Sequence, residues 1–252
     1  MSALYWLTDA QIERLRPFFP KFRGRPRVDD RRVLSGIILI QRNGLMWKHA
    51  PAAYGPPKTL CSRWKRWIRM GVFATIMTEL AVQAQETRIV MTDATHAKAH
   101  RTASSLAVQK GGGGRLIGRT RGGLNSKLHV LADAKGRPIQ MFLSAGQTSD
   151  CIGARALLSS IPSAGALLAD RGHDADWFRN ALIERGISPC IPSRTGRKAP
   201  IPHDASIYRL RHRIENMFAH LKDWRRIAIR YDRCPILFLS ACALAATVIY
   251  GL

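Results

Sequence analysis

Patterns typical of strands and helices alternate along the last two thirds of the chain, and this alternation is the strongest constraint on its fold. The run TRIVMTDA predicts a short strand that ends at Asp93, and residues 126–146 predict a hairpin that turns around Lys135. The run GALLAD predicts a buried strand that ends at Asp170, and residues 206–226 form the longest helical pattern. This alternation predicts an α/β protein whose mixed sheet carries helices on its faces.

The first 85 residues have helical patterns only. We predict a first helix that begins at Thr8 or Asp9, a second that ends at Gly44, and a third over the Trp-rich segment LCSRWKRWIRMG. Several short helices with a basic last member resemble a helix-turn-helix module. We therefore predict a helical DNA-binding region over 1–85 and an α/β domain over 86–252. In the third helix, the residues expected to contact DNA are Arg63, Lys65 and Arg66.

The charge of the chain indicates its partner. It has 40 Lys and Arg against 17 Asp and Glu, a net charge of +23. Such a charge makes nucleic acid the leading expected partner, and an anionic membrane surface the second. A hydrophobic content of 46% supports a buried core and excludes a disordered basic tail. Scattered cysteines without a C-x2-C pair, and N-terminal residues that do not predict a signal peptide, lead us to expect a cytoplasmic protein.

The run from Cys234 to Leu252 contains no charged residue. A membrane-spanning helix needs roughly 20 apolar residues, so the length of this run is borderline. Its starting Pro235, its Ser240 and its small Ala and Cys residues suit a buried helix equally well. We expect a core helix that closes the domain, with no membrane partner.

Two basic segments are candidates for contact with DNA phosphates. The window 98–127 contains seven basic residues and no acid, and its glycines would let arginines approach a phosphate backbone closely. The alternative for this window is a solvated loop. The motif RGRPR at 23–27 resembles a hook that enters the minor groove, and a basic linker is its alternative. The arginines that we expect to bind DNA here are Arg25, Arg27, Arg101, Arg115, Arg119 and Arg121.

Acidic residues are scarce, so their positions are informative. Asp93 and Asp170 each close a predicted apolar strand, and single acids at the carboxyl ends of α/β strands are placed to meet ligands. Each is also a common cap or turn residue, which is the alternative. Asp174 is the other candidate for the second acid. We favour Asp170, because it ends the strand and Asp174 fits the N-cap of the next helix.

Glu215 lies within the longest helical pattern, among cations. At about 100° per residue, one stripe of that helix carries the carboxylate together with basic and aromatic side chains. This pattern predicts a metal ligand inside a phosphate-binding surface. The alternative is a surface salt bridge between Arg211 and Glu215, worth a few tenths of a kcal/mol. The other members of the stripe are Tyr208, Arg211, Lys222 and Arg226.

The spacing Tyr208-x2-Arg211-x3-Glu215-x6-Lys222 matches the signature of bacterial insertion-sequence DDE transposases, and the chain resembles their insertion-sequence-five-type family. The blocks ADRGHD and TDATHAKAHRTASS are similar to those around that family's first two acids. The resemblance implies a ribonuclease-H-like catalytic domain with an acidic triad of Asp93, Asp170 and Glu215. It maps Tyr208, Arg211 and Lys222 to DNA handling. His173 departs from the Tyr that the family commonly has.

Transfer of a phosphodiester by such a triad needs two divalent ions about 4 Å apart. Mg²⁺ prefers carboxylate oxygens, so we expect Mg²⁺ as the cofactor, with Mn²⁺ as its substitute. Water would first free a 3′-OH at the element's end, and that 3′-OH would then attack target DNA. The expected partners are double-stranded DNA, as terminal inverted repeats and target, and further copies of this chain on that DNA.

Two other function classes compete with this one. The first is a non-catalytic DNA-binding repressor derived from a transposase, which the complete set of acids disfavours. The second is a metallonuclease that uses His96 and His100, which lie four residues apart and close to Asp93. No third His or Cys is placed to complete such a site.

Overall fold

The computed structural model describes residues 4–20, 29–82, 88–104 and 114–252. Arg25, Arg27 and much of the predicted glycine-rich loop lie outside these ranges. The described strands are β1 Ile89–Ala99, β2 Gly118–Thr120, β3 Gly123–Asp133, β4 Pro138–Ala145, β5 Ala166–Ala169, β6 Ser188–Cys190 and β7 Ile229–Arg230. The described helices are α1 Asp9–Leu15, α2 Asp30–Asn43, α3 Pro57–Arg69, α4 Val72–Val82, α5 Arg101–Ser104, α6 Asp150–Leu157, α7 Asp176–Glu184, α8 Ala205–Tyr208, α9 His212–Lys222, α10 Arg225–Ala228 and α11 Pro235–Ala246.

The N-terminal helices begin and end where local chemistry requires. Thr8 caps α1 in a capping box with Gln11, whose side chain bonds back to the Thr8 backbone. Helix α2 ends at Gly44, whose φ of 70° is a left-handed conformation that glycine adopts without strain. Helix α3 has Pro57 in its first turn, where the missing N–H costs nothing. The predicted helices of this region are therefore present.

The sheet is mixed, as predicted, and β1 lies at its centre. Strand β3 pairs with β1 antiparallel on one side, and β5 followed by β6 pairs parallel on the other. The predicted hairpin is formed by β3 and β4, and Gly136 in its turn has a φ of 81°. Because β1, β5 and β6 are parallel to one another, their carboxyl ends share one edge of the sheet.

Strand β1 is longer than the sequence predicts. We expected it to end at Asp93, but it continues to Ala99. Its parallel pairing with β5 stops at Thr92, whereas its antiparallel pairing with β3 continues as far as Lys98. The long partner β3 therefore extends β1, and Asp93 is the first residue beyond the parallel pairing.

The longest predicted helix is interrupted. Residues 205–222 follow one helical path, with a tight 3-10 turn at Arg209–Arg211 between α8 and α9. Trp224 then adopts an extended conformation, with φ of −82° and ψ of 109°, and its side chain is buried. The new helix α10 starts at Arg225, so Arg226 does not continue the stripe of α9, and that part of the prediction is wrong.

Within the described ranges, buried side chains form two cores, one on each face of the sheet. The smaller core lies between the sheet and helices α6 and α7. The larger core is continuous from the N-terminal helices through α9 and α11 to the other sheet face. Helix α11 is buried along much of its length, as expected, and continues into a π-helical turn at Thr247–Gly251. Among the described residues, no helix is both long enough and apolar enough to cross a membrane.

Candidate active site

Three carboxylates meet at the edge of the sheet where β1 and β5 leave their parallel pairing. Asp93 follows the last pair, Thr92 with Ala169, and Asp170 follows β5 directly. Helix α9 crosses this edge and brings Glu215 toward Asp93 through a shared partner, Arg211. The topology therefore assembles the three acids that the sequence predicts, from three elements far apart in the chain.

The Arg211 guanidinium is the cation at the centre of this cluster. Its Nη1 lies 2.5 Å from Asp93 Oδ2, and its Nη2 lies 2.7 Å from Glu215 Oε1. Its charge also lowers the pKa of Asp170. The Arg211–Glu215 salt bridge of the alternative interpretation is present, and Glu215 is 56% exposed. Arg211 also pairs with Asp93, and these two side chains are only 17% and 15% exposed, so the arginine does more than form that surface pair. Two carboxylates therefore pair with one guanidinium, and the third, Asp170, lies within reach of its charge.

The two aspartates have pKa values shifted in opposite directions. Burial raises the pKa of Asp93 above its ordinary value, and the nearby Asp170 adds to this, although Arg211 and the Ala94 N–H oppose it. Burial also raises the pKa of Asp170, but the hydrogen bond and charge of His173 and the charge of Arg211 outweigh it and give a net decrease. Neighbouring acids that titrate differently are typical of functional sites.

Asp174 is bound by basic residues inside the fold, apart from the cluster of acids. Its side chain is fully buried, and its oxygens accept hydrogen bonds from Arg179 Nε at 2.8 Å, from Arg197 Nε and Nη2 at 2.9 Å, and from the Arg194 backbone N–H at 2.8 Å. The predicted N-cap role is wrong, because Ala175 occupies the N-cap of α7. Two guanidinium groups saturate this carboxylate, whereas Asp170 lies close enough to Asp93 to affect its pKa.

Lys222 and Tyr208 flank the acids on the same helical path. Lys222 Nζ donates to Thr95 Oγ1 at 2.6 Å, and burial lowers the pKa of its ammonium group. The Tyr208 ring lies 5.9 Å from the Arg211 guanidinium and packs edge-on against His203. The stripe predicted from helical spacing is therefore present from Tyr208 to Lys222.

Arg226 lies elsewhere. Its Nη2 donates to the backbone oxygen of Leu45 at 2.8 Å, and its guanidinium lies 5.8 Å from the Trp47 ring. It is 8% exposed, with Asp232 at 3.7 Å. Arg226 therefore joins the N-terminal helices to the α/β part and does not face the acids.

The remaining basic residues divide into exposed and paired groups. Arg63 Nη1 is paired with Asp30 at 2.8 Å and lies over Trp67, and Arg115 contacts the backbone of Ala103. Lys127, counted in the basic window, is buried in β3 with Asp150 at 2.7 Å. The exposed candidates are Lys65, Arg66, Arg101, Arg119 and Arg121.

The three acids offer carboxylate oxygens, which are the ligands that hard divalent ions prefer. Two of these carboxylates already surround a positive charge, the guanidinium of Arg211. In this arrangement Arg211 supplies that charge, and the described residues contain no group of three or more His, Cys, Asp or Glu side chains placed to hold a metal. Binding of a divalent ion by these carboxylates would require Arg211 to release them. The finding applies equally to the three acids and to the predicted His96 and His100 site, where His96 contacts the Gly146 carbonyl and His100 packs on Tyr231.

Three neighbours of the cluster were missed as site residues. Asp150 lies beside the Asp170 turn, because a Cβ on Gly172 would come within 2.9 Å of Asp150 Oδ2 and 3.0 Å of Asp170 Oδ1. Thr95 binds Lys222, and His173 binds Asp170. Only His173 had a sequence signal, namely its departure from the usual Tyr.

Comparison with known proteins identifies the family of this chain. Residues 7–77 match the family described as putative transposase of the IS4/5 family, and residues 84–246 match the transposase DDE domain. The chain is 33% identical over 129 residues to a putative transposase for insertion sequence element IS6501 of Brucella ovis, covering 50% of this chain and 98% of that protein. It is 32% identical over 119 residues to a putative transposase for IS402 of Burkholderia cepacia, covering 43% and 54%.

Among solved structures, a Mos1 mariner paired end complex with Mn shares 16% identity with a TM-score of 0.32, covering 94% of this chain and 83% of that one. The family therefore rests on the sequence matches, which span more than half of the chain. With its mixed sheet, its flanking helices and its matches to insertion-sequence proteins, the chain belongs to the DDE transposases of the IS4/5 type.

Proposed function

We propose that this transposase performs Mg²⁺-dependent cleavage of DNA at the ends of its insertion sequence and joins the freed 3′-OH to target DNA, with Mn²⁺ able to replace Mg²⁺. The observation that carries the proposal is that Arg211 pairs with Asp93 and Glu215 at the edge of the sheet where Asp170 also ends its strand. Asp170 is close enough to interact with the charges of both Arg211 and Asp93. None of the findings favours the alternative of a non-catalytic repressor.

Asp93, Asp170 and Glu215 would hold the divalent ions. When bound, these ions supply stabilisation of the charge that develops on the attacking and leaving oxygens. The protein itself positions the DNA: Arg211, released from the carboxylates, and Lys222 would pair with phosphates beside the reacting bond. Tyr208 would pack against the DNA strand next to Arg211.

The proposed reaction consists of two phosphoryl transfers. In the first, the oxygen of a water attacks phosphorus, the bond to the 3′ oxygen breaks, and a 3′-OH and a 5′-phosphate result. In the second, that 3′-OH attacks a target phosphodiester and releases a target 3′-OH. Each step exchanges one P–O bond for another, so no energy source is needed.

The DNA surface would extend beyond the acids to the exposed basic side chains of α3, α5 and the β2–β3 region. Arg25 and Arg27 remain candidates for it, whereas Arg63 and Arg226 serve first as structural partners within the fold. Terminal inverted repeats and target DNA are the proposed ligands, several copies of the chain would assemble on them, and the cytoplasm is the proposed place of action.

Replacement of Glu215 by Gln tests the proposal. This change keeps size and helix propensity but removes one negative charge, so strand cleavage should fall by at least about 100-fold, as losses of single electrostatic elements do. Binding of the DNA end should persist, since Lys222 and the exposed arginines are unchanged. The assays are cleavage of a labelled DNA end in Mg²⁺ and a gel shift on the same DNA.

Glu184→Gln is the matched control, because Glu184 is exposed at the end of α7 and is not part of the cluster. It should cleave like the wild type. Cleavage at the wild-type rate by Glu215→Gln would refute the assignment of the three acids and favour the repressor.

A further inference from the structure

His173 is buried against the second acid of the cluster. Its side chain is 1% exposed, and its Nδ1 lies 2.6 Å from Asp170 Oδ1. A carboxylate oxygen only accepts hydrogen bonds, so Nδ1 carries the proton and donates it. The hydrogen bond to Asp170 therefore determines which ring nitrogen of His173 is protonated.

The His173 ring is held in place relative to the Asp170 carboxylate, because contacts fix both the backbone of His173 and one face of its ring. His173 ends the 3-10 turn Arg171–His173, and its backbone N–H donates to the Asp170 carbonyl at 3.0 Å. Its ring packs on Phe178 of α7, with ring centroids 6.2 Å apart. Both ends of the hydrogen bond are thus attached to the same rigid turn.

A second group of contacts locks this turn from outside. The Arg194 guanidinium donates to the carbonyl of Gly172 at 3.0 Å and lies 3.3 Å from the carbonyl of Arg171. The backbone N–H of Arg194 is itself bound by the buried Asp174. The turn that presents Asp170 is therefore braced by side chains that do not touch the three acids.

We propose that His173 is a positioning residue that fixes the orientation of the Asp170 carboxylate for divalent ion binding. This inference rests on the proposed function, because it assumes that Asp170 is a metal ligand. Hydrogen-bonding partners of metal ligands fix ligand orientation, and their loss typically weakens metal affinity by about 10- to 100-fold. The proposal gives a specific role to the position where this chain has His and its family commonly has Tyr.

Two amide substitutions separate hydrogen bonding from packing. Asn places a side-chain N–H close to the position of Nδ1, whereas Gln places it close to Nε2. His173→Asn should bind Mn²⁺ in the protein–DNA complex within about threefold of the wild type. His173→Gln should bind it about 10- to 100-fold more weakly. His173→Phe, which fills the ring's volume without a donor, should show the same loss as Gln.

The main measurement is Mn²⁺ binding to the full-length protein on a DNA end, followed by the EPR signal of free Mn²⁺, with the Mg²⁺ dependence of cleavage as a second readout. In an Asp170→Asn background, His173→Gln should cause no further loss of Mn²⁺ affinity if it acts through Asp170. Urea unfolding of each variant reports any structural effect separately.

The outcomes distinguish the inference from the proposed function. If the wild-type complex binds no Mn²⁺, the proposed function fails. If it binds Mn²⁺ and His173→Gln binds equally well, only the positioning role is wrong. Should the Gln and Phe variants not fold, His173→Asn still decides, because a tenfold weaker Mn²⁺ affinity in that variant contradicts the proposed donor geometry.

Discussion

At the scale of single residues, Arg211 has two roles that exclude one another. Its guanidinium pairs with Asp93 and Glu215, two of the carboxylates proposed to bind metal, and it is also proposed to bind a DNA phosphate. A guanidinium that leaves the carboxylates for a phosphate frees the metal ligands. DNA binding and metal binding should therefore be coupled through this side chain.

This coupling gives a testable prediction for Arg211→Gln. Without DNA, the variant should bind Mn²⁺ about tenfold more tightly than the wild type, because no internal cation competes for the carboxylates. Adding DNA should raise Mn²⁺ affinity in the wild type but much less in the variant. Calorimetric titration of Mn²⁺ with and without DNA measures both effects. Arg209→Gln, an exposed position on the same helical path, is the control. Equal Mn²⁺ affinity of wild type and Arg211→Gln without DNA would contradict the competition.

The sequence could predict part of this cluster and not the rest. A helix fixes angular spacing, so Arg211 and Glu215 had to lie on one side of it. The hydrogen bond of His173 to Asp170 depends on a 3-10 turn that no pattern indicates. The burial of Asp174 depends on Arg197, 23 residues further along the chain, and such contacts between distant residues have no signal in one sequence.

At the scale of elements, β3 and α6 enclose a histidine whose burial makes the fold sensitive to acid. His129 is 1% exposed, and its Nε2 pairs with Ser144 Oγ at 2.8 Å. Gly153 of α6 allows this contact, because a Cβ there would lie 2.0 Å from His129 Nδ1. Burial, assisted by the charge of Lys127, lowers the pKa of His129 to about 4.

A lowered folded-state pKa means that the unfolded chain takes up the proton first as the pH falls. His129 should therefore reduce stability between its unfolded value of 6.5 and about 4, by about 2 kcal/mol from pH 7 to pH 5. His129→Gln keeps a donor near Nε2 and has no charge to gain, so its free energy of unfolding should fall about 2 kcal/mol less over that range. Urea unfolding of both proteins at the two pH values tests this. Parallel pH dependence would show that folding does not shift the pKa of His129.

The sequence patterns predict the ends of strands and helices less well than their presence. The pairing of β1 with β3 extends it six residues beyond its predicted end at Asp93, because strand length depends on the partner as well as on local propensity. Trp224 interrupts the longest helix because its extended backbone lets the indole enter the core. Both errors come from tertiary packing that overrides a local preference.

At the scale of the whole molecule, the two predicted domains share one core. Helix α11, at the end of the chain, packs against α2, α3 and α4, and α10 packs against α2. Arg226 adds a hydrogen bond to Leu45. The family matches at 7–77 and 84–246 divide the chain in sequence, but the buried surface crosses that division.

Because the core is shared, we expect that residues 86–252 do not fold cooperatively without the N-terminal helices. A fragment of residues 86–252 would expose the side of α11 that the N-terminal helices cover. Each fully buried apolar side chain is worth about 1.5–3 kcal/mol, so the loss of several partners equals a typical total stability of about 5–15 kcal/mol. The fragment should therefore show no cooperative urea transition, whereas the full chain should unfold in one transition.

Circular dichroism and intrinsic fluorescence during urea titration measure this directly, and coincident curves for the full chain would mark a single cooperative unit. Mixing the fragment with a separately produced 1–85 fragment should restore part of the transition, because the lost contacts are non-covalent. A fragment 86–252 that unfolds cooperatively at the midpoint of the full chain would show that the N-terminal helices are an independent domain. The covered side of α11 would then contribute little to stability, and the N-terminal helices could move as a separate DNA-binding unit.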